Sequence, residues 1–532
     1  MTYDSKDRQP PSGHAARSVE RERRPTGAPA AGRESNATES GGISRHRFSI
    51  AVIGFFVALT AVRLAILAFG VLELSGDEAH YWEWSRRLDW CYYSKPPGVA
   101  CLIRAGTFLF GNTELGVRFF APVLSLLSSL VLYHLGRRLY DRRVGLVAAV
   151  LFQIMPMISA FGLGITPDTP LIFFWLLSLY FLHRAWSQGA PSDWLLLAVA
   201  VGLGLLSKYA VAFLYLPGAL LLLTTPQGRQ RLRTPWPYLS TVLSLLFFLP
   251  VIVWNSRHDW VMFRHDLGHA KSTAGWSLSP GDFLGFVGGQ LGAVTPIVCV
   301  LMLYLLIRRR REDPFCFWLT IPILAIFVFK SLGGKVQPNW PLVGWLAGLV
   351  PLADFLVHHY RPLRIGHKRL VTAGLIIPAV GTLLLHVPFL TLRLPWPQGK
   401  NPLKRLIGWR QLGAEVAAAA RDMDQPFFIL ADYYMTASEL AFYTAGHPRV
   451  YCINLGRRMN QYDIWSGLDD LKGRQALYVT ENAMPPDLAN AFEHVEPRAI
   501  PVHDPSGRPV KTFSLYRCRG FKGWTARTPT HY

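Results

Sequence analysis

Residues 48–74 read FSIAVIGFFVALTAVRLAILAFGVLEL, and residues 75–115 read SGDEAHYWEWSRRLDWCYYSKPPGVACLIRAGTFLFGNTEL. The first stretch is apolar enough to cross a bilayer, which takes roughly 20 mostly apolar residues in a helix. It begins well inside the chain and is longer than the hydrophobic part of a cleavable signal, so it reads as a membrane span. Arg63 inside it is costly in lipid and is expected to snorkel toward the outer end. The second stretch is too long and too structured for a passive linker. Asp77 opens a helical segment dense in Tyr81, Trp82, Trp84, Trp90, Tyr92 and Tyr93, a composition expected of a helix at a headgroup interface. Lys95-Pro96-Pro97 makes a rigid turn, and residues 99–110 form a second amphipathic stretch.

Further apolar segments follow at residues 115–135, 144–162, 170–183, 194–206, 210–223, 238–254, 283–307, 315–329, 340–357 and 371–390, giving about eleven spans. The whole chain of 532 residues is 51% hydrophobic and 17% charged, too apolar for a soluble chain of this length. Its net charge of +21 is not gathered on one surface with stacking aromatics, so nucleic acid is not an expected partner. The basic residues sit instead in alternate connections. These hold Arg137, Arg138, Arg142 and Arg143, then His183-Arg184, then Arg229, Arg231 and Arg233, then Arg308–Arg311, then Arg361, Arg364, Lys368 and Arg369. The positive-inside rule assigns them to the cytoplasm and the N-terminus with them. The other connections carry Asp77-Glu78, Asp168, Lys208, Arg257-His258-Asp259 and Lys335 to Asn339, which then share the outer face.

Two regions depart from this pattern. Residues 1–47 are rich in Arg, Ser, Gly, Pro and Ala and are expected to be a disordered cytoplasmic tail. After the membrane region, residues 48–395, residues 400–532 alternate helical and strand patterns. A helix is expected at 409–422, a strand at 426–431, a helix at 436–444, and strands at 450–454 and 476–480, which make a small extracytoplasmic α/β domain. The six cysteines contain no CxxC pair and give no zinc signature. Cys452 and Cys518 both fall in the outer domain, where a disulfide and two unpaired buried thiols are both open.

Within the 75–113 connection, Asp77 suits a helix N-cap as well as a catalytic carboxylate, since Ser-Gly-Asp before a helical run is a start signal. Lys95 suits a snorkelling lysine as well as an anion ligand. The other outer connections are short, yet each brings an ionisable group to the same face, which favours a site over separate structural roles.

The ordered set DEAHYW, YYSKPPG, FGNTELGVR, TPDTPL, SKY, WNSRHDW, KVQPNWP and GWRQL…NQYD, over residues 54–465, resembles the bacterial members of the protein O-mannosyltransferase and lipid A aminoarabinose transferase superfamily. These are multi-span glycosyltransferases of the GT-C type. The resemblance implies a sugar carried on polyprenyl phosphate, transferred with inversion to an acceptor at the outer face of the cytoplasmic (inner) membrane. The acceptor is lipid A or lipopolysaccharide, another envelope glycan or lipid, or a protein. Asp77 matches the catalytic base, Glu78 is its weaker neighbour, and Asp168 matches a second acid that shapes the site. Lys95, Lys208 and Arg257 match or lie near the donor-phosphate cations, and Tyr81, Tyr93, Tyr209 and Asn339 are expected to contact substrate. Metal-binding relatives place an acid before Lys-Pro-Pro; Ser94 stands there here, which puts a divalent-metal requirement in doubt, and His258 and His265 read as interfacial histidines.

The physics suits these roles. A sugar leaving phosphate builds negative charge on its oxygens, which fixed cations stabilise. A carboxylate within reach of the acceptor hydroxyl takes its proton. A transporter or lipid flippase is the competing reading, but it places ionisable groups near the bilayer midplane, whereas these acids sit at helix ends. A receptor with an outer ligand-binding domain is a third option, and it would not need the 77–97 segment.

Overall fold

The computed structural model describes residues 35–270, 278–388, 403–423, 426–465, 467–504, 506–525 and 527. Each expected apolar segment falls on a helix or a broken helix. The first runs Ser35–Ala68, so it takes in residues 35–47 of the segment expected to be disordered. Residues 1–34 and the expected junction at 395–400 lie outside the described residues. Among the described residues, five helices qualify as spans by length and composition, and up to eight if each sharply bent pair counts as one. The segment at 283–307 is one such pair. Its helices Pro280–Val294 and Pro296–Arg308 meet at 94°, where Thr295 adopts φ 70° and Pro296 supplies no N–H.

The bundle is built from neighbours in sequence. Helix Phe120–Leu139 packs on Arg142–Ile154, and Asp168–Ser187 on Pro191–Ser207. The first pair meets at glycines: a Cβ on Gly136 would lie 2.8 Å from the Gly145 Cα, so any side chain there would force the helices apart. Pro191–Ser207 spans 17 residues, short for a membrane crossing, and it ends at Lys208, a single extended residue before the 3-10 helix Tyr209–Leu214.

Arg63 does not snorkel. It is buried in the bundle, donating to His386 Nε2 at 2.9 Å, Ser125 Oγ at 2.8 Å and Ser159 Oγ at 3.0 Å. Three polar side chains inside the bundle satisfy the guanidinium, which removes the reason for it to reach toward water.

The C-terminal unit is a five-stranded mixed sheet. Its strands are β1 (Phe427–Ala431), β2 (Val450–Cys452), β3 (Gln475–Thr480), β4 (His494–His503) and β5 (Pro509–Arg519), in the order β2-β1-β3-β5-β4. β1 pairs parallel with β2 and β3, while β5 pairs antiparallel with β3 and β4. The parallel strands are almost wholly buried, as strands covered on both faces must be. Helices Trp409–Arg421 and Tyr434–Tyr443 pack together on this unit. Cys452 on β2 and Cys518 on β5 are buried free thiols.

The helix Gly76–Ser85 packs against Tyr434–Tyr443, so the first long connection is clamped to the C-terminal unit. Its aromatics are therefore not an interfacial belt. Trp82, Trp84, Tyr92 and Tyr93 are buried, and of the aromatics named in this connection only Trp90 is exposed. Trp82 meets Phe442 edge-on at 4.9 Å, and Trp84 stacks on Tyr92 at 4.5 Å. His80 bonds Ser438 Oγ at 3.0 Å, and burial depresses its pKa to about 3, so it joins the interface as a neutral ring.

Candidate active site

The Gly76–Ser85 helix separates its two acids at the first turn. Ser75 is the N-cap and Glu78 the third helical residue, and together they close a capping box. Asp77 is therefore not the cap. Glu78 is saturated: Arg118 donates to both carboxylate oxygens at 2.7 Å, and the Ile165 amide and the Ser75 hydroxyl each add a bond at 3.0 Å. Burial would raise its pKa, but the Arg118 guanidinium overcomes that and holds it below the ordinary carboxylate value.

Asp77 has no ion-pair partner among the described residues. It accepts one hydrogen bond, from the Tyr434 hydroxyl at 2.9 Å, and keeps part of its surface open. Crowding by protein atoms raises its pKa above the ordinary value; the Tyr434 bond pulls it back and Glu78 pushes it further up. A carboxyl that is poorly compensated and reachable has the attributes of a general base.

The acid at the second connection is held by two others. Asp168 begins helix Asp168–Ser187 and accepts Lys208 Nζ at 2.8 Å and Asn339 Nδ2 at 3.0 Å. Three expected site residues from three connections thus form one unit. Tyr81 lies within the fields of Asp77 and Asp168, and burial pushes its hydroxyl well above the ordinary range.

Lys95 lies within electrostatic reach of this group and of Asp77. Its ammonium bonds the Ser94 carbonyl at 2.7 Å and sits 5.8 Å from the Tyr209 ring centre. Burial lowers its pKa to about 8, against the pull of Asp266. Asp266, on helix Val261–Ala270, receives the Tyr209 hydroxyl and carries a raised pKa from burial, opposed by Lys95.

Arg257 is not part of this cluster. It caps helix Leu249–Ser256 through its backbone N–H, and its side chain is exposed and has no hydrogen bond or ion pair among the described residues. Tyr93 is buried with its ring edge-on to His265 at 4.8 Å, and its amide donates to Gln461 Oε1 at 2.6 Å. Four residues of the site were missed in the sequence: Arg118, Asp266, Tyr434 and Arg458, the last in contact with His265. Arg118 and Asp266 lie in the quoted motif FGNTELGVR and just beyond WNSRHDW, so their signal was present but unread.

Residues for a divalent ion do not converge here. Ser94 carries no carboxylate and its carbonyl accepts from Lys95, and His265 is engaged by Arg458. Among the described residues no group of three or more His, Cys, Asp or Glu is placed to hold a metal.

Residues 94–254 match the family described as dolichyl-phosphate-mannose-protein mannosyltransferase. The lipid A galacturonosyltransferase RgtD of Rhizobium johnstonii is 30% identical over 403 residues, which cover 74% of this chain and 81% of the relative. An undecaprenyl phosphate-alpha-4-amino-4-deoxy-L-arabinose arabinosyl transferase of Pseudomonas aeruginosa is 28% identical over 410 residues, covering 68% and 71%. The crystal structure of ArnT from Cupriavidus metallidurans bound to undecaprenyl phosphate shares the fold, with a TM-score of 0.59 over 88% of this chain and 98% of that one, at 18% identity. The chain belongs to the GT-C superfamily of membrane glycosyltransferases, which includes these proteins. It is a glycosyltransferase, and its expected family is the one the sequence motifs resemble.

Proposed function

We propose that the chain transfers a sugar from an undecaprenyl-phosphate-type carrier to lipid A at the outer face of the cytoplasmic membrane. The observation that carries the mechanism is Asp77, the acid left without an ion pair while Glu78 beside it is saturated. The acceptor hydroxyl oxygen attacks the anomeric carbon from the side opposite the phosphate. The carbon–oxygen bond to phosphate breaks, its electron pair stays on the phosphate, and the acceptor proton passes to Asp77. Inversion follows from this single displacement.

Lys95 and Lys208 stabilise the charge that grows on the leaving phosphate. Asp168 and Asn339 hold Lys208 in place, and Tyr81 and Tyr209 line the sugar's approach. Glu78 acts through position, fixing the helix start that presents Asp77. The choice of lipid A as acceptor is supported by the name of the similar protein from Rhizobium, and the choice of carrier by that of the similar protein from Pseudomonas. The orientation is supported by the alternation of basic connections, which assigns the basic ends and the N-terminus to the cytoplasm and, with an odd number of crossings, residues 400–532 to the outside.

Mass spectrometry of lipid A from a deletion strain tests this reading. One sugar increment should vanish, return with the wild-type gene and stay absent with Asp77→Asn. Lipid A unchanged by the deletion would sink it.

A further inference from the structure

Two adjacent arginines on the loop after β2 have opposite surroundings. Arg457 is spent within the C-terminal unit: it donates to Asp463 Oδ2 at 2.9 Å and Oδ1 at 3.2 Å, and to the Asp432 carbonyl at 3.2 Å. Arg458 leaves that unit and meets His265 Nε2, next to Asp266. The loop is fixed on both sides of the site. Gln461 takes the Tyr93 amide, two residues from Lys95, and Met459 packs with Cys91, Trp254 and Met262.

We propose that Arg458 is a phosphate-binding residue of the donor site, supplied by the C-terminal unit in the role the sequence suggested for Arg257. The inference rests on the reading that the donor is a polyprenyl phosphate. Its charge fits. Lys208 is matched by Asp168, and Asp266 is within electrostatic reach of both Lys95 and Arg458, so beside the base Asp77 these three cations share two carboxylates. A phosphodiester carries one negative charge, which the two cations sharing Asp266 can accept. A guanidinium presents paired N–H donors that match two phosphate oxygens, which a single ammonium cannot do. The arrangement also gives the C-terminal unit a direct part in binding: its loop reaches the carrier phosphate as the Tyr434 hydroxyl reaches the base.

The test uses the full chain in lipid nanodiscs, with undecaprenyl phosphate and undecaprenol as probes. Arg458→Gln should weaken binding of undecaprenyl phosphate about tenfold and leave undecaprenol unchanged, and Arg458→Lys should recover part of the loss. Arg498→Gln, an exposed arginine on β4, is the control. Wild-type binding of the phosphate by Arg458→Gln, or equal loss of both lipids, would overturn the proposal, the second result marking a role in loop packing. A measurement on unaltered protein covers the case of a variant that does not fold. Undecaprenyl phosphate, and not undecaprenol, should shield Arg458 from phenylglyoxal, and unshielded labelling would overturn the proposal equally. A wild-type chain that binds no undecaprenyl phosphate would defeat the functional reading as well, whereas failure confined to Arg458 leaves that reading intact.

Discussion

Both ends of the helical bundle carry clustered ionisable groups, and they differ in how those groups are compensated. At the end with the basic connections, Asp354 pairs with Arg309 and accepts His358 Nδ1 at 2.8 Å. The other nitrogen of His358 meets Asp141 at 3.0 Å, and Tyr140 donates to Asp313 at 2.8 Å. Tyr140, Arg309, Asp313 and Asp354 border a cavity of about 280 Å³, and both aspartates there are bonded to a neighbouring side chain. At the opposite end Asp77 has a single hydroxyl, and Lys95 bonds a backbone carbonyl while its nearest acids are shared. The number of charges does not distinguish the two clusters. Incomplete compensation does, because a group whose charge is not fully spent is the better placed to bind or react with a substrate.

The largest effect that should separate the two ends is at Asp77. Asp77→Asn keeps size and shape but cannot take a proton, and turnover in proteoliposomes should fall about 10³-fold with accumulation unchanged. Activity within a few-fold of wild type would show that the base is elsewhere. Lys95→Met should cost about 10²-fold, by analogy with removal of one preorganised donor. Lys95 also sets an alkaline limb. Its pKa in the folded protein is lowered to about 8, so the charged form is present below that value and is lost as pH rises through it. Donor kcat/KM should therefore decline above about pH 8, and the Lys95→Met variant should lack that limb.

Closed clusters should respond in stability. Glu78→Gln leaves Arg118 buried without its counter-charge, which costs on the order of 3–5 kcal/mol, so thermal unfolding should move down sharply. Asp354→Asn should lower thermal stability too, while turnover per folded molecule stays within a few-fold. A large loss of turnover at full stability for Asp354→Asn would erase the contrast between the ends. The smallest effect belongs to Arg257→Gln. Exposed and without a partner, Arg257 should change donor KM by less than about twofold, since exposed charges contribute little.

Motif order and charge alternation were enough to find the helical segments and to bring Asp77, Lys95, Asp168, Lys208 and Asn339 into view. The residues that were missed are less accessible because the contacts are remote: Tyr434 is 357 positions from Asp77, and Arg458 is 193 from His265. No local spacing encodes such a pair. The aromatics of residues 81–93 were read against the wrong surface, since Tyr and Trp suit a protein interface as well as a headgroup layer. Arg63 was misread for a related reason: its partners Ser125, Ser159 and His386 lie on other helices. β4 and β5 escaped notice because HVEPRAIPVH and the charged residues of the following strand interrupt any apolar run.

The identity of the base is tested most directly by the pH profile of the Tyr434→Phe variant. The acid limb of kcat/KM reports the ionisation of the free enzyme's base. Asp77 has a pKa raised by burial and partly restored by the Tyr434 hydroxyl, so the ionised form is present above that pKa and is lost as pH falls through it. Removing the hydroxyl takes away the bond that favours the carboxylate. The acid limb of Tyr434→Phe should move to higher pH while the rate on the plateau stays near wild type. A limb that stays at its wild-type position while the plateau falls would mean that Asp77 is not the group whose ionisation controls transfer.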